Sequence, residues 1–214
     1  MNLPNGITIA RILATPIVFA LILSDRFGYQ VLAFVIFIIA AVSDLWDGYI
    51  ARSRGLITDF GKLADPIADK LLTFATFIPF YILSHRPGSQ EGLAVVPWWG
   101  TLPLWVLIVV LGRELLITAF RAFAKRRGVV IPAGKEGKYK MVFQNIYIGS
   151  QILWIALRDR ALEQGWDSAF WSFWQVFHGS VVAISLAAAV ILTAYSLVVY
   201  LWRYRALVIE LGTT

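Results

Sequence analysis

Ser43-Asp44-Leu45-Trp46-Asp47-Gly48-Tyr49-Ile50-Ala51-Arg52 and, eight residues further on, Gly61-Lys62-Leu63-Ala64-Asp65-Pro66-Ile67-Ala68-Asp69 decide how this chain reads. The stretch carries four carboxylates and lies between two apolar segments, Gly28–Val42 and Ile67–Leu83. Asp44 and Asp47, three apart, share one helix face, and Asp65 and Asp69, four apart, share another. A hairpin of two helices closed by Ser53–Gly61 brings all four acids to one membrane border. Like charges so close repel and drive each other toward protonation, and divalent cations are the simplest remedy. Carboxylate-only ligation selects a hard ion, Mg²⁺ or Mn²⁺ rather than zinc. A pair of such ions is a common device for displacement at phosphorus. Taken singly, each aspartate reads as easily as a solvated helix end, or as an ion-pair partner of Arg52, Arg54, Lys62 or Lys70. Together the eight fixed positions, Asp44, Asp47, Gly48, Ala51, Arg52, Gly61, Asp65 and Asp69, each at a background frequency of roughly 0.05–0.08, coincide about once in 10¹⁰ starts.

The surroundings of this stretch are those of a membrane protein. The chain has 214 residues, 59% of them hydrophobic, and a mean hydropathy of +0.72. Six apolar runs follow one another: Ile7–Leu23, Gly28–Ile50, Ile67–Leu83, Trp98–Phe120, Met141–Leu157 and His178–Trp202. Each reaches or approaches the roughly 20 residues needed to cross a bilayer. The expected fold is all-α and integral to the membrane, six transmembrane helices in one bundle. Residues 1–214 form a single domain, with the active site at the cytoplasmic border of helices 2 and 3. Pro16 bends the first helix by removing a backbone hydrogen bond. The amino terminus lacks the basic region and small-residue cleavage site of a secretory signal, so Ile7–Leu23 is read as a retained first span.

Charge gives the orientation. Even parity puts both termini on one side, with Arg52, Arg54, Lys62, Lys125, Arg126, Arg127, Lys135, Lys138, Lys140, Arg203 and Arg205. The opposite side offers Arg26, Arg86, Arg158 and Arg160. The positive-inside rule places both termini and the acids in the cytoplasm. Trp98, Trp99, Trp154, Trp166, Trp171 and Trp174 fall near the outer border, where indole rings prefer to sit. Arg158–Phe177 mixes charges with aromatics and reads as a short amphipathic helix along the interface. The net charge of +6 points to anionic lipid heads and phosphorylated substrates rather than nucleic acid, because the cations lie beside apolar helices. With no cysteine, disulfides, thiolate ligands and cysteine nucleophiles are excluded. His85 and His178 fall at the outer ends of spans, a membrane thickness from the acids. Gln144 and Asn145 suit hydrogen bonds inside the bundle.

The string Asp44-x-x-Asp47-Gly48-x-x-Ala51-Arg52, then Gly61-x-x-x-Asp65-x-x-x-Asp69, resembles the signature of the CDP-alcohol phosphatidyltransferases, with every fixed position filled. The resemblance implies that Asp44 and Asp65 bridge two metal ions, Mg²⁺ or Mn²⁺, and that Asp47 completes one ion's shell. Asp69 would touch the other ion and act as general base toward an alcohol that displaces CMP. Gly48 and Ala51 would leave room for the cytidine nucleotide, and Arg52 would hold the pyrophosphate by its planar fork. Thr58 stands where the family carries a hydroxyl contacting the CDP-lipid. Asn5 and Thr8 match its opening Asn-x-x-Thr; they suit helix capping equally well.

The acceptor must be read elsewhere. Arg113 and Arg121 lie in the cytoplasmic half of the fourth span, and Gly137-Lys138-Tyr139-Lys140 opens the fifth. An arginine in hydrocarbon costs roughly 2.5–3.5 kcal/mol on insertion scales, so Arg113 is expected to face a polar cavity. Arg113 and Glu114, as neighbours, are expected to point apart and leave each other uncompensated. Arg113, Arg121, Lys138 and Lys135 form the expected receptor for a dianionic acceptor phosphate; Lys125–Arg127 read as a plain positive-inside cluster. Asn2-Leu3-Pro4-Asn5-Gly6-Ile7-Thr8-Ile9-Ala10-Arg11, Arg113-Glu114 with Arg121, and Gly-Lys-x-Lys followed by Gln144 resemble bacterial family members whose acceptor is sn-glycerol 3-phosphate. Met141 stands where such members often carry threonine.

The resemblance implies a bacterial cytoplasmic-membrane homodimer, set among membrane lipids, that joins CDP-diacylglycerol to glycerol 3-phosphate. Within the family, a cardiolipin synthase or an inositol-phosphate transferase is the alternative. Outside it stands a divalent-cation transporter, whose acids should lie near the midplane on helices interrupted in two like halves. The acids here sit at one border and the halves are unlike. A purely structural role leaves four costly interior carboxylates without a purpose.

Overall fold

A computed structural model describes residues 3–53, 58–86, 96–129, 131 and 135–205. Six helices account for nearly all of them: α1 Leu3–Ile22, α2 Phe27–Ser53, α3 Asp59–Ser84, α4 Leu104–Arg126, α5 Lys135–Gln164 and α6 Ala169–Arg203. No strand occurs among the described residues, apart from one isolated bridge between Val96 and Gly100. Among the described residues, four windows are long and apolar enough to cross a membrane: Asn5–Ile22, Phe27–Asp44, Ala64–Ser84 and Ala169–Arg203. The other two helices have the length, 23 and 30 residues. They also carry charges, Arg113, Glu114 and Arg121 on α4 and Lys138, Lys140, Arg158 and Asp159 on α5.

Local chemistry sets the ends. Thr58, in extended backbone, accepts a hydrogen bond from the Gly61 N–H and starts α3; Ser168 does the same for α6 through Trp171. Such caps satisfy one of the amides a first turn leaves open. Gly128 and Gly165 follow α4 and α5 with φ of +78° and +63°, the left-handed conformation that ends helices and that glycine adopts without strain. This break at Gly165 corrects one expectation: residues 158–164 finish α5 and residues 169–177 open α6, so no separate interfacial helix spans Arg158–Phe177. The fourth helix likewise starts at Leu104, not Trp98, because Trp98 lies in a turn at φ +68°.

The packing order departs from a simple hairpin. α1 packs against both α2 and α3, whereas among the described residues α2 and α3 are not an extensively packed pair. α5 lies against α2 and α6, and α4 touches α3 and α6. The first helix is therefore wedged between the two that carry the acids. At the centre, the Phe77, Phe80 and Tyr147 rings meet with centroids 5.3–6.4 Å apart, beside buried Val18, Phe37, Ile152 and Leu186. Gln144 Nε2 donates to Thr73 Oγ1 at 2.9 Å, as its position inside the bundle led one to expect. Ile39, Ile108, Ile184 and Ile191 point outward and stay exposed. Large apolar side chains on that outer surface suit contact with lipid rather than water.

Candidate active site

A cavity of about 390 Å³ opens among α2, α3, α4, α5 and α6. Asp44 of α2 and Asp65 and Asp69 of α3 line one side of it. Arg113 and Arg121 of α4 and Lys138 and Lys140 of α5 line the other, with Tyr200 and Arg203 of α6 closing the wall. Acids and cations from five regions of the sequence thus share one space. His85 and His178 do not line it. His178 Nε2–H donates instead to the Ser150 carbonyl at 2.9 Å, its ring stacked between Trp154 and Trp174.

Each of the three described acids is contacted from α1. The Arg11 guanidinium, 4% exposed, hydrogen-bonds Asp44 Oδ1 and stands 4.0 Å from Asp69 Oδ1. One turn earlier on the same face, Thr8 Oγ1 donates to Asp65 Oδ1 at 2.6 Å. Thr58 Oγ1 donates to Asn5 Oδ1 at 2.8 Å while accepting from Gly61 N–H, so Asn5 and Thr58 fasten α1 to the start of α3. Gly61 lies under this knot: a Cβ there would stand 3.2 Å from Thr58 Oγ1 and 3.3 Å from Asn5 Oδ1. Asp47, Gly48, Ala51 and Arg52 continue α2, and Lys135 opens α5; their side chains lie outside the described residues.

The basic side differs from expectation at one place. Arg113 and Glu114, adjacent in sequence, do pair: Arg113 Nη1 donates to Glu114 Oε1 at 2.9 Å. Lys140 Nζ donates to the same oxygen, and its side chain is 3% exposed. Backbone neighbours leave a helix 100° apart, yet a long guanidinium stem spans that angle, and a shared cavity supplies the reason to do so. Lys138 remains exposed at the rim. The Arg121 guanidinium lies over the Tyr200 ring, 5.8 Å from its centroid. Buried Nε atoms of Arg113 and Arg121 have no hydrogen-bond partner among the described residues. Buried donors of this kind are costly unless a ligand or water accepts from them.

Chemically, the cavity offers oxygen ligands on one wall and anion-binding donors on the other. Among the described residues no three acid or histidine side chains already converge as a ready metal cage. The donor chemistry nevertheless fits a hard divalent ion, since Asp44, Asp65 and Asp69 present only carboxylate oxygens to one space. Reading the sequence missed Arg11, Glu114, Lys140, Tyr200 and Arg203 as parts of the site. The signal for Arg11 was present: an arginine in the middle of an apolar helix demands an acidic partner. Tyr200 and Arg203, three apart in the last helix, gave a fainter one.

Comparison with known proteins agrees with this chemistry. A family model described as CDP-alcohol phosphatidyltransferase matches residues 1–202. A probable phosphatidylglycerophosphate synthase of Mycobacterium tuberculosis (strain ATCC 25618 / H37Rv) is 38% identical over 156 residues, covering 71% of this chain and 66% of that protein. A CDP-diacylglycerol–glycerol-3-phosphate 3-phosphatidyltransferase 2 of Arabidopsis thaliana is 34% identical over 77% of this chain and 68% of its own length. The CDP-diacylglycerol–glycerol-3-phosphate 3-phosphatidyltransferase of Bacillus subtilis (strain 168) is 33% identical over 71% and 77%. The matched segment spans just under two thirds of the mycobacterial protein and more of the other two.

Proposed function

The chain belongs to the CDP-alcohol phosphatidyltransferase family, and from that premise we propose that it transfers the phosphatidyl group of CDP-diacylglycerol to sn-glycerol 3-phosphate. The products are phosphatidylglycerol phosphate and CMP. The single observation that carries this reading is the cavity in which Asp44, Asp65 and Asp69 face Arg113, Arg121 and Lys138. One wall suits a metal-dependent donor and the other a dianionic acceptor. Relatives at 33–34% identity bear names that state this donor and acceptor, and the mycobacterial relative's name states the product.

In the reaction, the acceptor hydroxyl oxygen forms a bond to the phosphorus that bears the diacylglycerol. The bond from that phosphorus to the CMP oxygen breaks, and CMP leaves with the electron pair. Asp69 takes the hydroxyl proton. Divalent ions are the general rule in the family; when bound they supply charge neutralisation at the phosphates and acidify the attacking hydroxyl. Two Mg²⁺ or Mn²⁺ ions would be held by Asp44, Asp47, Asp65 and Asp69. Arg52 would grip the pyrophosphate, and Gly48 and Ala51 would admit the nucleotide. The acceptor phosphate would rest on Arg113, Arg121 and Lys138, with Lys135 close by in sequence. The Arg113 and Arg121 Nε atoms, without a partner among the described residues, support that assignment. Planar donors suit a phosphate better than a point charge does.

The same reading makes all six helices span the bilayer. The charges of α4 and α5 are then tolerated because they face the cavity, where water and substrates reach them. Both termini and the cavity lie on the cytoplasmic side by the distribution of Lys and Arg. The working form is a homodimer in a bacterial cytoplasmic membrane. The test is CMP release by the purified chain with Mg²⁺, with glycerol 3-phosphate, phosphatidylglycerol and inositol phosphate offered in competition. Release that does not depend on glycerol 3-phosphate overturns the acceptor.

A further inference from the structure

A helix that carries none of the signature acids touches every described one of them. Among the described residues α1 packs extensively on both α2 and α3, so Asp44 on one side and Asp65 and Asp69 on the other share α1 as their common neighbour. Two α1 side chains, three residues apart on one face, span the gap. Arg11 reaches Asp44 and Asp69, and Thr8 reaches Asp65. Arg11 is 4% exposed and Thr8 is 1% exposed. An ordinary ion pair would need one acid for one arginine. Here a planar fork faces acids of two different helices, and a hydroxyl on the same face donates to an oxygen of the third acid, Asp65.

We propose that Arg11 and Thr8 are positioning residues of the reaction: they orient the Asp44, Asp69 and Asp65 carboxylates from behind, so that the remaining oxygens face the cavity and receive divalent metal. The inference rests on the metal-dependent reading of the cavity. Groups that hydrogen-bond a ligating carboxylate fix its rotamer, and losing one such partner commonly costs about 10–100-fold in metal affinity. Thr15 adds a support, its hydroxyl bonding the Arg11 carbonyl at 2.9 Å. A second feature fits: one positive charge behind three acids offsets part of their mutual repulsion without filling an oxygen needed in front.

The experiment is a Mn²⁺ titration of the full chain in detergent, read by electron paramagnetic resonance of free Mn²⁺, on the native protein, Arg11→Gln, Arg11→Lys and Thr8→Val. Arg11→Gln should bind Mn²⁺ about 10–100-fold more weakly, and its activity should recover when Mn²⁺ is raised by the same factor. Arg11→Lys, which keeps the charge and loses the fork, should fall between. Thr8→Val should lose about 10-fold. Melting temperatures without metal separate misfolding from misplaced acids; if Arg11→Gln does not fold, Arg11→Lys and Thr8→Val carry the measurement. Unchanged or tighter Mn²⁺ binding in the variants overturns the inference alone. Failure of the native protein to bind Mn²⁺ overturns the metal reading itself.

Discussion

On the acidic side of the cavity one buried cation, Arg11, reaches two aspartates. On the basic side one half-buried anion, Glu114, accepts from Arg113 and Lys140. The two walls are inverse arrangements of charge, and they differ in what the odd residue leaves over. Arg11 spreads one charge across acids on separate helices, so the acidic wall keeps a negative excess facing the cavity. Glu114 takes two of the basic wall's cations onto a single carboxylate. Arg121 and Lys138 are left to face an anion more openly. Counting charges therefore describes the walls poorly; which charges are already answered decides what each can bind.

The strongest way to break that contrast is to remove an acid from the front of its wall. Asp44→Asn and Asp65→Asn should each abolish CMP release and weaken CDP-diacylglycerol binding, because the proposed ions rest on both. Binding measured by isothermal titration alongside turnover checks this. Intact donor binding in either variant would place the ions elsewhere. Next in size, Asp69→Asn should lower kcat by about 10²–10⁴-fold, the usual worth of a positioned base. Donor binding should stay near native. A drop in binding equal to the drop in kcat would make Asp69 chiefly a ligand.

The basic wall answers to a stability measurement. Glu114→Gln strands Lys140 and Arg113 without their shared carboxylate, and breaking a buried pair from one side costs about 3–5 kcal/mol. The Glu114→Gln, Lys140→Met double variant should recover much of that, since the buried ammonium is gone as well. Thermal melting in detergent reads both. A double variant no more stable than the single one would mean that Glu114 serves Arg113 rather than Lys140. Smaller still, Lys138→Gln at the exposed rim should raise the KM for glycerol 3-phosphate by about tenfold, near the 1–1.5 kcal/mol expected of a charged contact in partial water. The KM for CDP-diacylglycerol should not move with it.

How much of this was legible in the sequence depends on the range of the interaction. Helix identity was plain, because runs such as Gly28–Val42 have one outcome at their length and apolarity. The acids were plain too, since their spacing within each helix states which face they share. What could not be read was which helix lies between them. A two-helix hairpin is the economical reading of Asp44 to Asp69, and only packing shows α1 wedged in the gap, with Arg11 as the consequence. The basic wall was half legible for a related reason. Arg113 and Lys138 announced themselves by charge, whereas the Glu114–Lys140 pair joins residues 26 apart and depends on how α4 and α5 meet. Boundaries failed where turn geometry rules: Trp98 enters a left-handed turn, and Gly165 cuts an apparently continuous amphipathic run.

The least expected effect is also the one that sharpens the acidic wall most. Thr58 has two readings, a contact to the CDP-lipid or a brace between α1 and α3. Its hydroxyl is already committed twice, accepting from Gly61 N–H at 3.0 Å and donating to Asn5 Oδ1 at 2.8 Å. Thr58→Val keeps the shape, and the extended backbone there, φ −113° and ψ 156°, accepts a β-branched residue without strain. Losing the cap should cost about 1 kcal/mol, seen as a drop of a few degrees in melting temperature. If the hydroxyl is a brace, donor KM stays within about twofold while Mn²⁺ affinity slips, because the start of α3 carries Asp65 one turn beyond Gly61. If it is a lipid contact, donor KM rises while metal binding holds. The two responses move opposite quantities, so one variant decides whether the acidic wall is built from α1 outward or from its substrate inward.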